Sequence, residues 1–415
     1  MKARPFWMYV HRYVGLAMTV FLIIVGLTGS LLAFYEDLDG LMNPGFYTEP
    51  EGRHLLTLPA LLDAAKEAAG TEMTIKSIWL SDSIAQVSVA PKDIDQAEPS
   101  YDQLLLNPYT GMETGRRHWG VISDGLTNLF PFIYKLHYNL ALDDIGMWIL
   151  GITALIWTLD CFVGLYLTFP ASVVKSNPDA TGSRFLSRWQ KSWTVKWRGS
   201  AFRINYDLHR AGGLWLWLLL LIFAWSSVYM NLSDSVYQKV MQSVSDYHQP
   251  WTDIKDLPEP IENPAIDLEK AYQIGIKAMA EAAVAHGFTV EKQVGLWLNA
   301  AKGFYVYCVR SSADIQDAGG LTRVVIDATT GQTLMMLLPT GQYNGNTITT
   351  WLAALHMANI FGMPYRVLVC LTGLVIVMLS VTGMVIWLKK RRQSRVSVES
   401  EKPSDLHYAN KPELF

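Results

Sequence analysis

Two stretches that repeat each other decide how this chain is organised: His11-Arg12-Tyr13-Val14-Gly15-Leu16 and His209-Arg210-Ala211-Gly212-Gly213-Leu214. Each opens an apolar segment of membrane-spanning length, and the second begins 198 residues after the first. A second pair follows the same pattern, since Leu136-His137 and Leu355-His356 each precede a further apolar segment, 219 residues apart. The pattern predicts an internal duplication with four histidines at equivalent positions.

The composition is typical of a membrane protein. Of the 415 residues, 50% are hydrophobic and only 17% are charged, whereas about 25% charged residues are usual in a soluble protein. The net charge is −3, and basic residues do not gather on one segment with spaced aromatic residues. We therefore expect a lipid bilayer around the protein and no nucleic-acid partner.

Four apolar segments are long enough to cross a bilayer, which requires about 20 residues. They cover about 6–35, 145–169, 211–230 and 366–388. Basic residues cluster before the first, between the second and third, and after the fourth, so the positive-inside rule places both termini in the cytoplasm. The first segment is too long for a signal peptide and lacks a clear cleavage site, which predicts an uncleaved anchor.

This topology gives eight expected parts. They are transmembrane helix 1 (1–35), a first outer module (36–136), transmembrane helix 2 with its preceding histidine (137–170), a cytoplasmic loop (171–208), transmembrane helix 3 (209–231), a second outer module (232–355), transmembrane helix 4 with its preceding histidine (356–389) and a cytoplasmic tail (390–415).

The two outer segments predict small α+β modules of the same kind. Residues 57–69, with Thr57 as N-cap, and residues 267–285 have helical periodicity, whereas 84–90 and 304–310 alternate like strands. A turn phrase follows in each module, Asn107-Pro108-Tyr109-Thr110-Gly111 and Asp327-Ala328-Thr329-Thr330-Gly331, in which glycine supplies a positive φ. The expected fold class is an α-helical membrane protein with four transmembrane helices and two small α+β modules.

This combination resembles the PepSY-associated transmembrane family over most of residues 1–390. The matching features are the His-Arg-x-x-Gly-Leu stretches, the later Leu-His pairs and the Asn/Asp-x-x-Thr-Gly turns of PepSY modules. Within the family the chain looks most like the haem-containing siderophore reductases of the FoxB type. The resemblance implies a multi-pass protein of the bacterial inner membrane, with two periplasmic PepSY-like modules and a role in iron acquisition.

The four repeated histidines are expected to bind two haem b groups. A haem iron with two imidazole ligands requires two histidines that face each other at one depth. Both halves run inward, outward and inward again, so a pseudo-twofold axis along the membrane normal places His11 opposite His209 and His137 opposite His356. A single interfacial histidine is usually only a hydrogen-bonded surface residue, and the repetition is what favours ligation. No Cys-x-x-Cys-His motif for covalent haem attachment occurs.

Residues beside the histidines add to this hypothesis. Gly15 and Gly213 share a helical face with His11 and His209 and would leave room for a flat macrocycle. Arg12 and Arg210 could neutralise haem propionates, although arginines at this end also follow from the positive-inside rule. Asp160 lies inside the second span, where a carboxylate is costly and tends to be functional. It could be protonated, pair with an arginine or relay protons, and the sequence leaves its role open.

Two haems across a bilayer, together with the resemblance, imply an oxidoreductase that reduces a ferric siderophore in the periplasm. No G-x-G-x-x-G follows a strand, so the electron donor is expected to be a quinol or a cytoplasmic reductant. Aromatic side chains suit an amphipathic chelate, and the expected substrate contacts are Trp119, Tyr134, Tyr343 and Trp351. No catalytic acid, base or nucleophile is expected, since electron delivery itself loosens the metal.

Two alternatives belong to other classes of protein. PepSY modules imply binding or restraint of proteases, so the chain could be a membrane-tethered interaction protein without redox activity. A siderophore permease is the other alternative, which four spans without a broken helix disfavour.

Overall fold

The computed structural model describes residues 3–50, 52, 54–92, 100–171, 185–261 and 263–400, with side chains described as far as residue 393. Its α-helices are α1 (Ala3–Leu32), α2 (Tyr35–Met42), α3 (Leu58–Ala69), α4 (Leu129–Asn139), α5 (Asp143–Thr168), α6 (Phe185–Trp189), α7 (Ala201–Trp215), α8 (Trp217–Asn231), α9 (Gln238–Val244), α10 (Pro250–Asp253), α11 (Leu268–His286), α12 (Asn344–His356) and α13 (Gly362–Ser400). Its strands are β1 (Met73–Leu80), β2 (Ala85–Pro91), β3 (Gln103–Leu106), β4 (Glu113–Arg117), β5 (Val290–Asn299), β6 (Phe304–Ser311), β7 (Thr322–Asp327) and β8 (Thr333–Leu337).

The described residues form two compact units. Unit 1 is drawn from Met1–Ile23, Leu159–Leu220 and Val375–Phe415. Unit 2 consists of Ile24–Thr158 and Leu221–Leu374.

The structure has apolar helices of membrane-spanning length, which confirms the prediction of a membrane protein. Three helices reach the necessary length and hydropathy, namely Ala3–Leu32, Asp143–Thr168 and Gly362–Gln393. The helices α7 and α8 meet the same criterion only as a pair. Within the described ranges there are therefore three spans, or four if α7 and α8 together count as one.

The break between α7 and α8 corrects the expectation of one continuous span over 211–230. The two helices are bent by 68°, and Leu216 between them has φ −109° and ψ 12°, outside the α-helical range. The preceding Gly212-Gly213 pair weakens the helix here, because glycine gives the backbone the most freedom. The absence of a broken helix therefore no longer counts against a permease.

An antiparallel sheet of eight strands occupies the described part of unit 2, in the order β4-β3-β2-β1-β5-β6-β7-β8. The first four strands come from residues 73–117 and the last four from residues 290–337. They join through β1 and β5, where Ile78 lies opposite Leu296 and Trp79 stacks on Trp297 with ring centroids 4.7 Å apart. The two repeated segments thus share one sheet, which the alternation of the strands did not predict.

Helices α3 and α11 pack on this sheet and enclose the main hydrophobic core. Leu61 and Leu62 of α3 and Met279 of α11 are buried against strand residues such as Val87 and Val324. Burial of each such side chain contributes about 1.5–3 kcal/mol. The core therefore includes side chains from both helices and from strands of both halves of the sheet.

Local signals in the sequence predicted several of these elements correctly. The strands expected over 84–90 and 304–310 are β2 and β6. The cap of α11 is also confirmed, because the Asp267 carboxylate accepts a hydrogen bond from the Lys270 N–H at 2.8 Å. In the turns that end β3 and β7, Gly111 and Gly331 both have a φ of 74°, as expected.

The predicted N-cap position of α3 is confirmed, but its capping hydrogen bond is not formed. Thr57 lies at the N-cap position, but its side chain makes no capping hydrogen bond. The first helical N–H, that of Leu58, instead donates to Gln293 Oε1 at 3.3 Å. A residue from β5 thus takes over part of the capping of α3.

Unit 1 brings together the start of α1, the end of α5, α7 and the later part of α13. The Arg4 guanidinium donates to the carbonyl oxygens of Leu167 and Phe169, at 2.7 and 2.9 Å. These bonds satisfy carbonyl groups that the end of α5 leaves without helical partners. They also fix the first turn of α1 against the end of α5.

Candidate functional site

The rings of His11 in α1 and His209 in α7 face each other within unit 1. Their centroids are 6.1 Å apart and their planes are inclined by 57°. We refer to His11 and His209 as the first pair. This is one of the two pairings that the repeat predicts.

The rings of His137 and His356 lie together within unit 2, as the second pair. Their centroids are 6.2 Å apart and their planes are inclined by 67°. Each lies in the last turn of a short helix, α4 or α12, that precedes a long apolar helix. Positive φ angles at Leu140 and Ala358 turn the chain after each helix.

In the first pair, Nδ1 of each ring makes the hydrogen bonds. His11 Nδ1 lies 2.9 and 3.0 Å from the two carboxylate oxygens of Asp160. His209 Nδ1 lies 3.0 Å from the carbonyl oxygen of Leu379 and 3.1 Å from Thr382 Oγ1. Since carboxylate and carbonyl oxygens only accept, both rings carry the proton on Nδ1.

The second pair has the same arrangement with hydroxyl partners. Thr28 Oγ1 lies 2.9 Å from His137 Nδ1, and Ser226 Oγ lies 2.6 Å from His356 Nδ1. Each hydroxyl donates its proton to a helical carbonyl group four residues earlier, at 2.7 and 2.6 Å, so its oxygen accepts from the ring. Thr28 and Ser226 lie 198 residues apart, as do His11 and His209.

In all four rings the hydrogen bonds are thus made by Nδ1, and no Nε2 among them is hydrogen-bonded to a described residue. A neutral imidazole with this tautomer is the form that binds a metal, with Nδ1–H held by a neighbouring acceptor. Burial lowers the pKa of His137 to about 4 and that of His356 to about 3. Both rings of the second pair are consequently neutral near pH 7.

The spacing within each pair fits one iron with an imidazole on either side. A metal–imidazole bond is about 2 Å long and a ring nitrogen lies about 1.1 Å from its centroid, so such centroids lie about 6 Å apart. A bare ion such as zinc needs three or four protein ligands. In the described part of the chain, no group of three or more His, Cys, Asp or Glu side chains could hold one. A haem fits better, because its macrocycle supplies the remaining ligands.

Three glycines outside the predicted site lie against the histidine rings. A Cβ atom on Gly29 would lie 2.9 Å from His137 Cε1, and one on Gly383 would lie 3.1 Å from His209 Cε1. On Gly164 it would lie 3.6 Å from His11 Cε1. Gly164 and Gly383 each follow a second-pair histidine by 27 residues, and this equal spacing was the available signal.

The glycines expected beside the first pair have a different environment. A Cβ atom on Gly15 would meet nothing within 4 Å, and one on Gly213 would meet only Leu379 Cδ2, at 3.9 Å. These two positions are open, as room for a macrocycle requires, but neither approaches a histidine ring. The close approaches come from Gly164 and Gly383.

The two arginines beside the first pair differ from each other. The Arg210 guanidinium donates to the buried carboxylate of Asp207 and to the carbonyl oxygen of Lys191, both at 2.8 Å. Arg12 makes no hydrogen bond or ion pair with the described residues. Arg210 thus has an anionic partner within the chain, whereas Arg12 has a guanidinium to offer to a ligand.

Asp160 and Phe223 contact the histidines without having been predicted to do so. Asp160 bonds to His11 rather than to an arginine. Phe223 of α8 lies 5.4 Å from His356, ring centroid to ring centroid. The repeat could not reveal them, since Leu379 and Val25 occupy the equivalent positions.

The four aromatic residues expected to contact substrate take part in different ring contacts. Trp119 and Tyr134 have ring centroids 5.8 Å apart. Tyr343 lies 4.4 Å from the ring of His248, and Trp351 lies 6.3 Å from that of Phe361. Among the described aromatic contacts, none joins Trp119 or Tyr134 to the other two.

The comparison with known protein families agrees with the repeats and the apolar helices. The family model for the PepSY-associated TM region matches residues 8–390. A comparison with curated proteins finds no match. The matched region includes all four repeated histidines and nearly the whole described chain. The apolar helices in this region are those of a multi-pass membrane protein. The chain therefore belongs to the PepSY-associated transmembrane family.

Proposed function

We propose that the chain is a di-haem b oxidoreductase of the bacterial inner membrane that reduces ferric siderophores in the periplasm. The observation that carries the proposal is the duplicated histidine arrangement. Each pair has ring centroids about 6 Å apart, Nδ1 held by an acceptor on another helix, and Nε2 left for a ligand.

The residues of the site have separate roles in this proposal. A haem bound between two imidazoles supplies a one-electron redox centre. The histidines hold it, and their Nδ1 partners fix the tautomer and the orientation of each ring. Gly29, Gly164 and Gly383 keep side chains away from the rings. Arg12 is positioned in sequence beside His11 to neutralise a propionate.

The orientation follows from the distribution of charge. With α7 and α8 counted as one span, the positive-inside rule supports a topology in which both termini and residues 171–208 are cytoplasmic. The sheet of unit 2 then belongs to the two PepSY-like modules in the periplasm, where the substrate is present. The second pair lies in the same unit as that sheet.

The overall reaction balances with a quinol or a cytoplasmic reductant as donor. Each Fe(III) ion takes up one electron and leaves the chelate as Fe(II). One quinol, oxidised to quinone with release of two protons, therefore serves two ferric siderophores. Hard oxygen ligands prefer the higher charge of Fe(III), so reduction weakens the chelate. No proton transfer from the protein is needed at the iron.

The test is a single-turnover reduction of the substrate. Purified protein is reduced anaerobically, freed of reductant and mixed with a ferric hydroxamate siderophore, while haem absorbance and Fe(II) capture by a colorimetric chelator are followed together. We expect about one Fe(II) per haem oxidised. The gallium(III) complex of the same siderophore is the control, since gallium(III) is redox-inert and should leave the haems reduced.

Two results would contradict the proposal. If every ferric siderophore leaves the haems reduced while a quinone oxidises them, the protein is a haem-containing quinone oxidoreductase. If the folded protein carries no haem, the electron-transfer function fails and a membrane-tethered interaction protein becomes the better hypothesis.

A further inference from the structure

The Nδ1 partners of the four histidines differ in charge. His209 bonds to a carbonyl and a hydroxyl group, and both histidines of the second pair bond to hydroxyl groups. Only His11, among the four, bonds to a carboxylate, that of Asp160. The position that is equivalent to Asp160 in the second half is Leu379, which offers its backbone carbonyl group instead. The two halves therefore differ in the residue that accepts the Nδ1 hydrogen bond of each first-pair histidine.

The Asp160 carboxylate is well placed to act on the His11 ring. Both of its oxygens lie within 3.0 Å of Nδ1, and the side chain is only 10% exposed. A charge-assisted hydrogen bond is roughly twice as strong as a neutral one. A carboxylate that accepts from Nδ1–H also makes the opposite nitrogen a stronger electron donor to a metal.

We propose that Asp160 is a positioning residue that holds the redox potential of the first-pair haem below that of the second-pair haem. This inference rests on the proposed function, since it requires both pairs to bind haem. A more basic ligand and a nearby negative charge both stabilise Fe(III) relative to Fe(II), which lowers the potential. The ordering of the two potentials then favours electron flow from the cytoplasmic side to the periplasmic side.

The test is a potentiometric titration with optical detection, made on chains that keep one pair. His356→Ala leaves the first pair and His209→Ala leaves the second. In the His356→Ala background, Asp160→Asn should shift the equilibrium between reduced and oxidised haem at least tenfold toward reduction. For one electron this is a rise of about 59 mV.

Two further variants separate the charge of Asp160 from its bulk. Asp160→Glu keeps a carboxylate and should retain most of the low potential. Asp160→Thr gives His11 the kind of partner that His137 has and should raise the potential as Asp160→Asn does. The matched control is Thr382→Val, which removes a neutral partner of His209 while the Leu379 carbonyl remains. Its shift should be well under tenfold.

Each outcome decides either this inference or the proposed function. If the wild-type chain binds no haem, the proposed function fails. If Asp160→Asn keeps its haem with an unchanged potential, only the inference is overturned. If the Asp160 variants lose the first-pair haem, the test is the comparison of the redox potentials of the His356→Ala and His209→Ala chains, both with Asp160 intact. A first-pair potential at or above the second-pair potential overturns the inference, and a lower one supports it.

Discussion

A methyl group added at Gly29 tests whether the His137 ring must stay where the structure places it. The new Cβ would lie 2.9 Å from His137 Cε1, while ordinary contacts begin at 3.4 Å, so the ring would have to move by about 0.5 Å. A haem held through Nε2 would fix the position of the ring, whereas in the haem-free protein a displaced ring would only strain its hydrogen bond to Thr28. The cost therefore falls on haem binding.

The expected magnitude follows from the cost of overpacking, which is about 1–3 kcal/mol for an added carbon in a tight site. Gly29→Ala should weaken binding of the second-pair haem by roughly 5- to 150-fold. Gly164→Ala is the matched control, because its Cβ would lie at an ordinary contact distance of 3.6 Å from His11 Cε1. Both substitutions improve helix propensity by about the same amount, about 1 kcal/mol, so their difference isolates the ring contact.

The assay is a titration of haem-free protein with haem, followed by absorbance. Gly29→Ala is measured with only the second pair present and Gly164→Ala with only the first. In Gly383→Ala the added Cβ would lie 3.1 Å from His209 Cε1. Its loss of haem affinity should therefore fall between those of the other two variants. Unchanged affinity in Gly29→Ala, or an equal loss in Gly164→Ala, would refute the reasoning.

Two further predictions concern the pairing and the fold. Alanine at either histidine of one pair should remove one haem and spare the other, as haem counts will show, and loss of the same haem in His11→Ala and His137→Ala would contradict the pairing. Asp39→Ala should lower the free energy of unfolding by about 3–5 kcal/mol, because it leaves the Arg117 guanidinium, 1% exposed, without its carboxylate at 3.0 Å. The measurement is chemical denaturation, and the control is Asp63→Ala, whose side chain is 72% exposed and which should unfold like the wild type. An equal loss of unfolding free energy in both variants would refute the argument.

The repeats in the sequence were informative because they are local and occur twice. A capping aspartate such as Asp267, or a Thr-Gly turn ending at Gly111, acts through neighbours within a few residues. Such features could be predicted without knowledge of the fold. The pairing of the histidines could also be inferred, since equivalent residues of two similar halves meet at the axis that relates the halves.

What the sequence did not reveal depends on contacts between distant segments. The joining of β1 to β5 is of this kind, because an alternating strand carries no mark of its neighbour. The partnership of Asp160 with His11 breaks the repeat, so comparison of the two halves could only show that Asp160 is different. The bend at Leu216 had a local sign in the Gly212-Gly213 pair, but the surrounding apolar run masked it.

The absorption spectrum of the purified protein tests the central claim most directly. Protein from haem-replete cells should be coloured, with a b-type spectrum of bis-histidine haem, and should contain close to two haems per chain. The two pairs, in which no Nε2 is hydrogen-bonded to a residue that the structure describes, lead to this stoichiometry. A folded but colourless protein would contradict the claim that the histidine pairs are haem sites.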